Sequence, residues 1–445
     1  MDREIYDVAI VGGGVCGTAL LYTLSKYSNV AKIALIEKNR AAALVNSQKT
    51  NNSQTLHFGD IETNYTLEKA RKVNTAASLV KNYLLQFDSE KEIYTKYHKM
   101  VLAVGTEQAA KLRARYQEFK ELFPQLRLIE KAEISQLEPK VLHGRAENEE
   151  IIALYTEEGY TVDFGKLAES FLNRATTEQK QVDSFFDTKI SHITAEEDYY
   201  CLQTSTQTIR AKVVAVEAGA HSLLMAKSLG YGKNYALLSV AGSFYLAPKF
   251  LKGKVYTVQL KKLPFAAIHG DPEVDNPDIT RFGPTAKVLP MLERRNYATV
   301  TEYFQTAGLS LSAIASFTKI LSDLTVLRYI LLNLLYDFPV LGKRLFIKQV
   351  KKIVPSVKLK DLKYARGYGG VRPQIVNLTT RALELGEAKI IGDRILFNIT
   401  PSPGASTCLK NAQDDAEKLI EFLGEGYEFD RDRFLAELLQ QLSVK

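Results

Sequence analysis

The residues DVAIVGGGVCG at positions 7–17 and IALIEK at positions 33–38 decide the fold of this chain. An apolar strand runs into a Gly-x-Gly-x-x-Gly turn, a helical run follows at 19–27, and a second apolar strand ends in an acid. Gly12 permits the tight turn, Gly14 lets the backbone approach a pyrophosphate, and Gly17 lets helix and strand pack closely. The helix N-terminus favours phosphate, and Glu37 can accept a hydrogen bond from a ribose. The stretch predicts a βαβ unit that binds a dinucleotide; a glycine-rich turn without a ligand is the alternative.

The composition narrows the class of protein. A chain of 445 residues is too long for one simple core, so we expect two or more domains. The hydrophobic content of 46% and charged content of 24% are typical of a soluble globular protein. The net charge of +7 is compatible with anionic membranes or acidic substrates, and alone does not indicate nucleic acid binding.

Targeting and metal signals are weak throughout. Three cysteines without paired spacing argue against a disulfide framework and against zinc, and indicate a reducing cytoplasm. We predict no metal site. The first apolar run is the nucleotide-binding strand itself, which argues against a signal peptide. No window of 18 apolar residues is present, so we expect no membrane-spanning segment.

Secondary-structure signals alternate along the chain, and nucleotide-domain signals occur at both ends and around 150–220. Helices are predicted at 66–87, 107–123, 163–179, across most of 306–353 and from about 405 to 423. Strands are predicted at 93–104, 185–194, 199–205, 208–217 and 394–399, with a strand-rich stretch at 235–290. The interleaving predicts an α/β protein with one domain at 1–85, 150–230 and 365–445, and a second at 86–149 and 231–364.

Several further stretches resemble one known family. NNSQTLHFG at 51–59 is similar to the flavin-side loop of D-amino acid oxidase-like flavoproteins, VEAGAHS at 216–222 resembles their second FAD-contacting turn, and GGVRPQ at 369–374 resembles their substrate-arginine segment. NITPSPGAST at 398–407 is close to a signature of malate:quinone oxidoreductases. GDIETNYT at 59–66, and HGD at 269–271 followed by FGP at 282–284, match the same family. The resemblance covers essentially the whole chain.

The resemblance implies a fold, a cofactor and a reaction. The fold is of the glutathione-reductase/D-amino acid oxidase type, in which a Rossmann-type FAD-binding domain is interleaved with a substrate domain of mixed β-sheet and helices. FAD oxidises L-malate to oxaloacetate by hydride transfer to flavin N5, and the electrons pass to membrane quinone. Oxidation of another 2-hydroxy acid, such as 2-hydroxyglutarate, is the nearest alternative.

The expected FAD contacts come from four segments. Lys38 lies over the adenine or points to solvent, and the amides of 404–407 open the last helix, where they can stabilise negative charge on the reduced flavin. The predicted cofactor-binding residues are Gly12, Gly14, Gly17, Glu37, Lys38, Asn52, Ser53, Gln54, Gly219, Gly404, Ala405, Ser406 and Thr407.

Oxidation of a secondary alcohol needs a base that accepts the hydroxyl proton, and binding of a dicarboxylate needs cationic side chains. His269, oriented by Asp271, is the first candidate base, although Gly270 and Pro272 imply a bend between them. His57 is the second candidate base.

Two arginines are candidates for binding the substrate. Arg372 resembles the family position that pairs with a substrate carboxylate; a structural ion pair is its alternative. Arg281 could hold the second carboxylate or be a simple surface arginine.

An apolar segment followed by a basic one suggests how a lipid quinone is reached. Between 307 and 353 lie helices with abundant apolar side chains, and residues 343–363 carry many lysines against one acid, Asp361. This pattern resembles a peripheral anchor at the inner face of the cytoplasmic membrane. Buried helices with a solvated basic flank are the alternative. The apolar residues are Leu309, Leu311, Ile314, Phe317, Ile320, Leu321, Leu331, Leu332, Leu334 and Leu335.

Two rivals come from other classes of protein. A flavin-dependent tRNA-modifying or RNA-binding protein is suggested only by the basic balance, and it predicts salt-sensitive RNA retention without reduction by hydroxy acids. A non-catalytic FAD-binding protein is disfavoured because the candidate base and arginine segments are both present.

Overall fold

The structure, a computed structural model, describes residues 4–176, 180–259, 268–307, 313, 315–316, 318–319, 322–338, 340–384, 388–401 and 403–439. Among these, short 3₁₀ helices occur at Lys49–Asn51 and Leu359–Asp361. The α-helices are Val15–Tyr27, Leu67–Phe87, Thr106–Phe119, Lys131–Leu137, Pro139–Leu142, Phe164–Ala175, His221–Ser228, Thr299–Ala307, Leu324–Leu335, Leu341–Val350, Cys408–Leu423 and Arg431–Leu439.

A parallel sheet carries the glycine-rich turn. Its parallel strands lie in the spatial order Gln181–Phe185, Lys32–Ile36, Ile5–Val11, Thr208–Val216 and Ile395–Ile399. Strand Ala388–Ile391 adds to one edge in antiparallel orientation, and the hairpin Ile190–Ala195 and Tyr200–Thr204 joins Thr208–Val216.

The first strand is apolar on both faces because both faces are covered. Val8 and Ile10 pack into the core under helices Val15–Tyr27 and Cys408–Leu423, whereas Ala9 and Val11 join a core on the opposite face. A strand buried on two sides reads as a continuous apolar run, which is why the sequence signal at this strand was so clear.

A second sheet has eight strands and is mixed: its described strands are antiparallel except for one parallel pair, Lys254–Thr257 with Tyr94–Val104. The spatial order is Lys363–Tyr364, Tyr245–Pro248, Ile279–Gly283, His269–Pro272, Lys254–Thr257, Tyr94–Val104, Ile151–Val162 and Arg127–Glu130. A smaller antiparallel sheet contains Lys287–Val288, Tyr235–Ala241, Val371–Asn377 and Ala382–Glu384.

Strand pairing shows which sheets are joined near two of the predicted domain boundaries, at 150 and 365. Strand Ile151–Val162 pairs with Tyr94–Val104 in the mixed sheet. Strand Val371–Asn377 pairs with Tyr235–Ala241 in the small sheet. Long-range pairing decides which sheet a strand joins, and the strand's own sequence carries no record of its partner. The division into two domains stays a prediction.

The strand predicted at 185–194 is two strands, and the first of them completes the parallel sheet. Gln181–Phe185 pairs with Lys32–Ile36, and the chain leaves the sheet before Ile190–Ala195 begins. The segment QVDSF is polar and only partly buried because it lies at the edge, so it lacks the apolar run that marks a central strand. Other helices begin or end within a few residues of their predicted limits, but residues 177–179 of the helix predicted at 163–179 lie outside the described residues.

Candidate active site

Of Gly12, Gly14 and Gly17, only Gly14 would have room for a Cβ. A Cβ at Gly12, whose φ is +114°, would lie 2.5 Å from the carbonyl oxygen of Glu217, and one at Gly17 would lie 1.9 Å from the carbonyl oxygen of Gly12. A Cβ at Gly14 would meet only the Ser47 hydroxyl oxygen, at 3.4 Å. Gly12 and Gly17 therefore permit close packing of the protein itself, while Gly14 faces an open cleft, as a pyrophosphate requires.

The acid at the end of the second strand is held at the same cleft. Glu37 is buried, and its Oε2 accepts a hydrogen bond from the amide of Gly13 at 2.7 Å. The other oxygen accepts from the amide of Asn39 at 2.9 Å. Lys38 lines the cleft and forms an ion pair with Glu293, so its ammonium is neither free in solvent nor available as an unpaired cation.

The loop at 51–59 is tied to the rest of the protein by its amide side chains. Asn52 lines the cleft and donates to the carbonyls of Asn46, Ser47 and Gln48 at 3.0–3.2 Å. Ser53 also lines the cleft.

Gln54 differs from its prediction as a flavin contact. It is fully buried away from the cleft, and its amide nitrogen donates to Glu273 at 2.9 Å while its oxygen accepts from the amide of Val274 at 3.1 Å. Gln54 thus anchors the loop because both ends of its amide are already hydrogen-bonded to protein.

The turn before the last long helix closes the same cleft. Gly404, Ala405 and Ser406 of this turn line the cleft, as does Gly219 of an earlier turn. Ser406 Oγ accepts a hydrogen bond from the amide of His57 at 2.9 Å. The helix begins at Cys408, later than predicted, so these residues form a turn rather than the first helical residues. Thr407 is the N-cap residue of that helix and does not itself line the cleft.

His269 and Asp271 form the hydrogen-bonded pair that the sequence predicts. Nδ1 of the imidazole bonds to Oδ2 of the carboxylate, and both side chains are buried. His269 lines the cleft, and its ring stacks on Tyr256 with centroids 4.8 Å apart. Lys254 Nζ lies 3.3 Å from Oδ1 of Asp271 and donates to Thr161 Oγ1 at 2.9 Å.

Burial favours the neutral imidazole, and the neighbouring His269 and Lys254 favour the ionised carboxylate of Asp271. Burial lowers the pKa of His269, against the opposing effect of the Asp271 carboxylate. Burial acts to raise the pKa of Asp271, but His269 and Lys254 hold it well below its usual range. Burial lowers the pKa of Lys254 to about 8.

His57 belongs to a second histidine–carboxylate pair in the cleft. Its Nδ1 lies 2.6 Å from Oε1 of Glu62, whose side chain is buried. Burial acts to raise the pKa of Glu62, but the hydrogen bond from His57 and the charge of Lys99 bring it below its usual value. Lys99 itself pairs with Asp60 at 2.8 Å, and both side chains are buried.

Arg372 lines the cleft without a carboxylate partner in the part of the chain that the structure describes. Burial lowers its pKa, and the Tyr329 phenol opposes this effect. Its guanidinium lies close to the backbone of Gly242, where a Cβ would be 3.2 Å from Nη2. A guanidinium of this kind suits a ligand carboxylate better than a structural ion pair.

Arg281 does not reach the cleft, contrary to its expected role as a second carboxylate clamp. It is fully buried and donates to the carbonyls of Asn52 and Ser53 at 3.2 and 2.7 Å. Its guanidinium lies over the ring of Phe244, 4.6 Å from the centroid. The alternative of a surface arginine is also wrong, because Arg281 is fully buried and supports the loop at 51–59.

One cleft therefore contains the open glycine turn, Glu37, two histidines hydrogen-bonded to carboxylates, and an arginine that has no carboxylate partner among the described residues. A sequence comparison identifies the family that combines them: the family model of malate:quinone oxidoreductase matches residues 4–421. The chain belongs to the malate:quinone oxidoreductase family.

Curated relatives of this malate:quinone oxidoreductase family member span its full length. A probable malate:quinone oxidoreductase of Campylobacter jejuni is 45% identical over 450 residues, covering 99% of this chain and 100% of the relative. A malate:quinone oxidoreductase of Helicobacter pylori is 41% identical over 434 residues, covering 96% of each chain.

Solved structures with the same fold are flavoenzymes. L-α-glycerophosphate oxidase from Mycoplasma pneumoniae with FAD bound gives a TM-score of 0.65 at 18% identity, covering 94% of this chain and 95% of that one. Glycine oxidase from Geobacillus kaustophilus gives 0.65 at 17% identity, covering 97% and 98%. At these identities the likeness shows the fold alone.

These comparisons confirm the family, the fold class, the FAD cofactor and the oxidoreductase class predicted for this chain. They do not favour 2-hydroxyglutarate as the substrate or the RNA-binding alternative. Within the described residues, no group of three or more His, Cys, Asp and Glu side chains is placed to hold a metal ion.

Three residues that hold the two histidine–carboxylate pairs in place were not predicted from the sequence. Glu62 lay inside a stretch already matched to the family, five residues beyond His57, and that spacing could have suggested a partner. Lys254 and Tyr256 gave no signal, because only the pairing of strand Lys254–Thr257 with strand His269–Pro272 brings them to the histidine.

Proposed function

We propose that L-malate is oxidised in this cleft with His269 as the base and Arg372 as the clamp for one carboxylate. The observation that carries the proposal is the His269–Asp271 pair, buried within the same cleft as the open turn at Gly14. The electrons then pass to a membrane quinone, the acceptor that the family name specifies.

The chain offers a fitting set of groups for FAD. Gly14 permits close approach of the pyrophosphate, Glu37 accepts from a ribose, and the turn around Gly404 lies beside the flavin-side loop. Bound there, FAD supplies the acceptor for the hydride that leaves C2 of malate.

His269 provides the proton acceptor for the substrate hydroxyl. Asp271 holds the proton on Nδ1, which leaves the lone pair of Nε2 for the hydroxyl proton. As Nε2 takes that proton, the imidazolium is stabilised by the carboxylate. The C–H bond breaks with its electron pair, so the carbinol carbon becomes the carbonyl of oxaloacetate.

His57 is the competing base, and its pair with Glu62 gives it an oriented ring as well. His269 is favoured because it is more deeply buried and because Lys254 and Tyr256 fix its carboxylate and its ring plane. We assign His57 to contact with substrate or flavin, since its amide is joined to the turn at Ser406.

Anaerobic titration of the purified flavoprotein tests both the substrate and the base. L-Malate should bleach the flavin, a soluble quinone should restore the colour, and His269→Gln should slow bleaching at least 100-fold, as expected for loss of a general base. His57→Gln should retain more activity than His269→Gln. Bleaching by 2-hydroxyglutarate but not by malate would overturn the assignment of malate as the substrate. Faster bleaching in His269→Gln than in His57→Gln would overturn the assignment of His269 as the base.

We further propose that the protein binds the membrane surface peripherally through the helices Leu324–Leu335 and Leu341–Val350. Apolar side chains are exposed on the first helix, at Leu324 and Leu331, and in the segment between the two helices, at Phe338 and Val340. The predicted anchor residues Leu309, Leu311, Ile314, Phe317, Ile320 and Leu321 lie outside the described residues. No helix in the described part of the chain is both long and apolar enough to cross a bilayer.

The exposed apolar side chains of residues 324–341 form the proposed membrane-binding surface. Lysines lie next to this surface and favour binding to anionic lipid. Lys348, Lys351, Lys352 and Lys358 are exposed, and each lysine near such a surface contributes about 1 kcal/mol. The inner face of the cytoplasmic membrane presents such lipid, so we place the protein there.

Sedimentation with vesicles of anionic phospholipid tests this attachment. Leu331→Glu combined with Phe338→Glu should reduce the bound fraction several-fold, whereas Ile391→Glu, at an exposed apolar residue elsewhere, should not. Equal binding by both variants would contradict this surface as the attachment site.

A further inference from the structure

A four-carbon dicarboxylate brings two negative charges into the cleft, and the residues described so far account for one of them. Arg372 has no carboxylate partner among the described residues and suits one end of the substrate. Arg281, the predicted partner of the other end, is occupied beneath the flavin-side loop. A second cation is therefore needed to neutralise the remaining carboxylate.

Lys69 lines the same cleft and is free to bind an anion. Its Nζ lies 4.4 Å from the centroid of the Tyr65 ring, and no carboxylate in the described part of the chain is within ion-pairing distance of it. Its side chain is half-buried, and this burial lowers its pKa while the nearby charge of Glu62 opposes the shift. A partly desolvated ammonium that makes no ion pair with the described residues can form one with an anionic ligand.

The segment that carries Lys69 is held rigidly. Arg115 donates to the carbonyls of Glu62 and Tyr65 at 2.7 and 2.6 Å, which fixes the chain just before the helix Leu67–Phe87. Thr66 then caps the helix by accepting from the amide of Lys69 at 3.2 Å. The backbone of Lys69 is therefore pre-positioned, so little ordering is needed when a ligand binds.

Strand register places this segment on one side of His269. Tyr256 lies directly across from His269 on the neighbouring strand. Just beyond that strand, the amide of Gln259 donates to Thr63 Oγ1 at 2.9 Å, which joins the strand end to the segment that leads to Lys69.

Arg372 is connected to His269 through the strand that pairs with His269 on its other side. Gly283 is the cross-strand partner of His269 there, and Pro284 follows it. A Cβ at Gly242 would lie 2.8 Å from Pro284 and 3.2 Å from the guanidinium of Arg372. His269 therefore lies between the segment bearing Arg372 and the segment bearing Lys69.

We propose that Lys69 binds the second carboxylate of the substrate, so that the cleft selects 2-hydroxy dicarboxylates over 2-hydroxy monocarboxylates. This inference rests on the proposed function, since it assigns the site of malate oxidation its second anion contact. The flanking positions of Lys69 and Arg372 would then hold a diacid by both ends, with its hydroxyl at His269.

Kinetics with two substrates test the proposal. Lys69→Met should raise KM for L-malate about 10- to 100-fold, the range expected for a charge-assisted hydrogen bond. The same change should leave kcat/KM for L-lactate within about twofold, because lactate has no second carboxylate. Lys69→Arg should recover part of the loss. Lys72→Met is the matched control, since Lys72 lies on the same helix, is solvent-exposed and pairs with Glu68.

A binding measurement separates this role from an effect on the chemistry. Succinate and butyrate have no hydroxyl group, so they can bind without being oxidised. Their binding can be followed by the shift in the flavin absorption spectrum. Lys69→Met should weaken the binding of succinate at least tenfold, while the affinity for butyrate and the FAD content stay unchanged.

The outcomes distinguish this inference from the proposed function. If Lys69→Met affects malate no more than Lys72→Met does, or weakens malate and lactate equally, the assignment of Lys69 is overturned while malate oxidation stands. If the parent protein is not reduced by L-malate at all, the proposed function fails and the assignment of Lys69 fails with it.

Discussion

His269 and Asp271 lie two residues apart on the strand His269–Pro272, with Nδ1 of the imidazole hydrogen-bonded to Oδ2 of the carboxylate. Side chains at i and i+2 share one face of a strand, and this strand stays paired on both sides. The imidazole thereby reaches the cleft while its carboxylate remains fully buried. A base oriented in this way is the centre of the chemistry proposed for the cleft.

Replacing the carboxylate should disable the base without emptying the site. We expect Asp271→Asn to lower the rate of flavin reduction by L-malate about 10²- to 10⁴-fold, because the imidazole loses its tautomer and its counter-charge. KM should change much less. Rapid anaerobic mixing measures the rate, and Asp278→Asn, at an exposed residue of the same hairpin, is the control. A rate within threefold of the parent would contradict the role of Asp271.

The pH dependence of flavin reduction should show a base with a depressed pKa. Because burial lowers the pKa of His269, the neutral imidazole persists below pH 6.5, the usual value. kcat/KM for L-malate should therefore remain level as the pH falls through 6.5 and decline only at more acidic pH. Any activity left in Asp271→Asn should decline at still lower pH, since Asp271 raises the pKa of His269. An acid limb above pH 6.5 in the parent would count against His269.

Substitution by alanine should have different effects at two glycines of the turn, Gly17 and Gly14. Gly17→Ala places a methyl group against the carbonyl of Gly12, so we expect the free energy of unfolding to fall by more than about 3 kcal/mol. Gly14→Ala meets only the Ser47 hydroxyl, so the apoprotein should remain folded while FAD affinity falls about tenfold or more, some 1.4 kcal/mol. Thermal unfolding of the apoprotein and flavin fluorescence titration measure the two effects. Equal FAD affinity in Gly14→Ala and the parent would refute the pyrophosphate contact.

Arg281 should act on the loop beneath the flavin rather than on the substrate. Arg281→Met removes hydrogen bonds to the carbonyls of Asn52 and Ser53, so we expect a loss of about 2–4 kcal/mol in stability and weaker FAD binding. Arg372→Met should instead raise KM for L-malate at unchanged FAD content. Denaturant unfolding and FAD titration separate the two variants. A selective rise in KM for Arg281→Met, with normal FAD binding, would restore it as a substrate clamp.

The cofactor half of the site could be predicted because its signals are local. Gly12, Gly14, Gly17 and Glu37 belong to one βαβ unit, in which each residue's role follows from its place in a short segment. The edge strand Gln181–Phe185 was missed because it is polar and half-buried. The sheets that strands Ile151–Val162 and Val371–Asn377 join could not be predicted, because each strand pairs with a distant partner.

The substrate half depends on contacts between distant segments. Arg281 looked like a surface or substrate arginine from its neighbours, yet the fold buries it under residues more than 200 positions away. Lys69 lies in a segment predicted only as a helix, whereas the fold directs it to the cleft. Neither position could be read from local pattern, because burial is set by what the rest of the chain packs against each residue.

The sequence by itself determined the nucleotide-binding unit, the family and the histidine–aspartate pair, because turn geometry, strand periodicity and i, i+2 spacing act over a few residues. Only the tertiary structure decided that Glu62 orients His57, that Lys254 neutralises Asp271, and that Arg372 stays without a described carboxylate partner. These outcomes depend on strand register and on which charges are buried together, and both are properties of the packed chain as a whole.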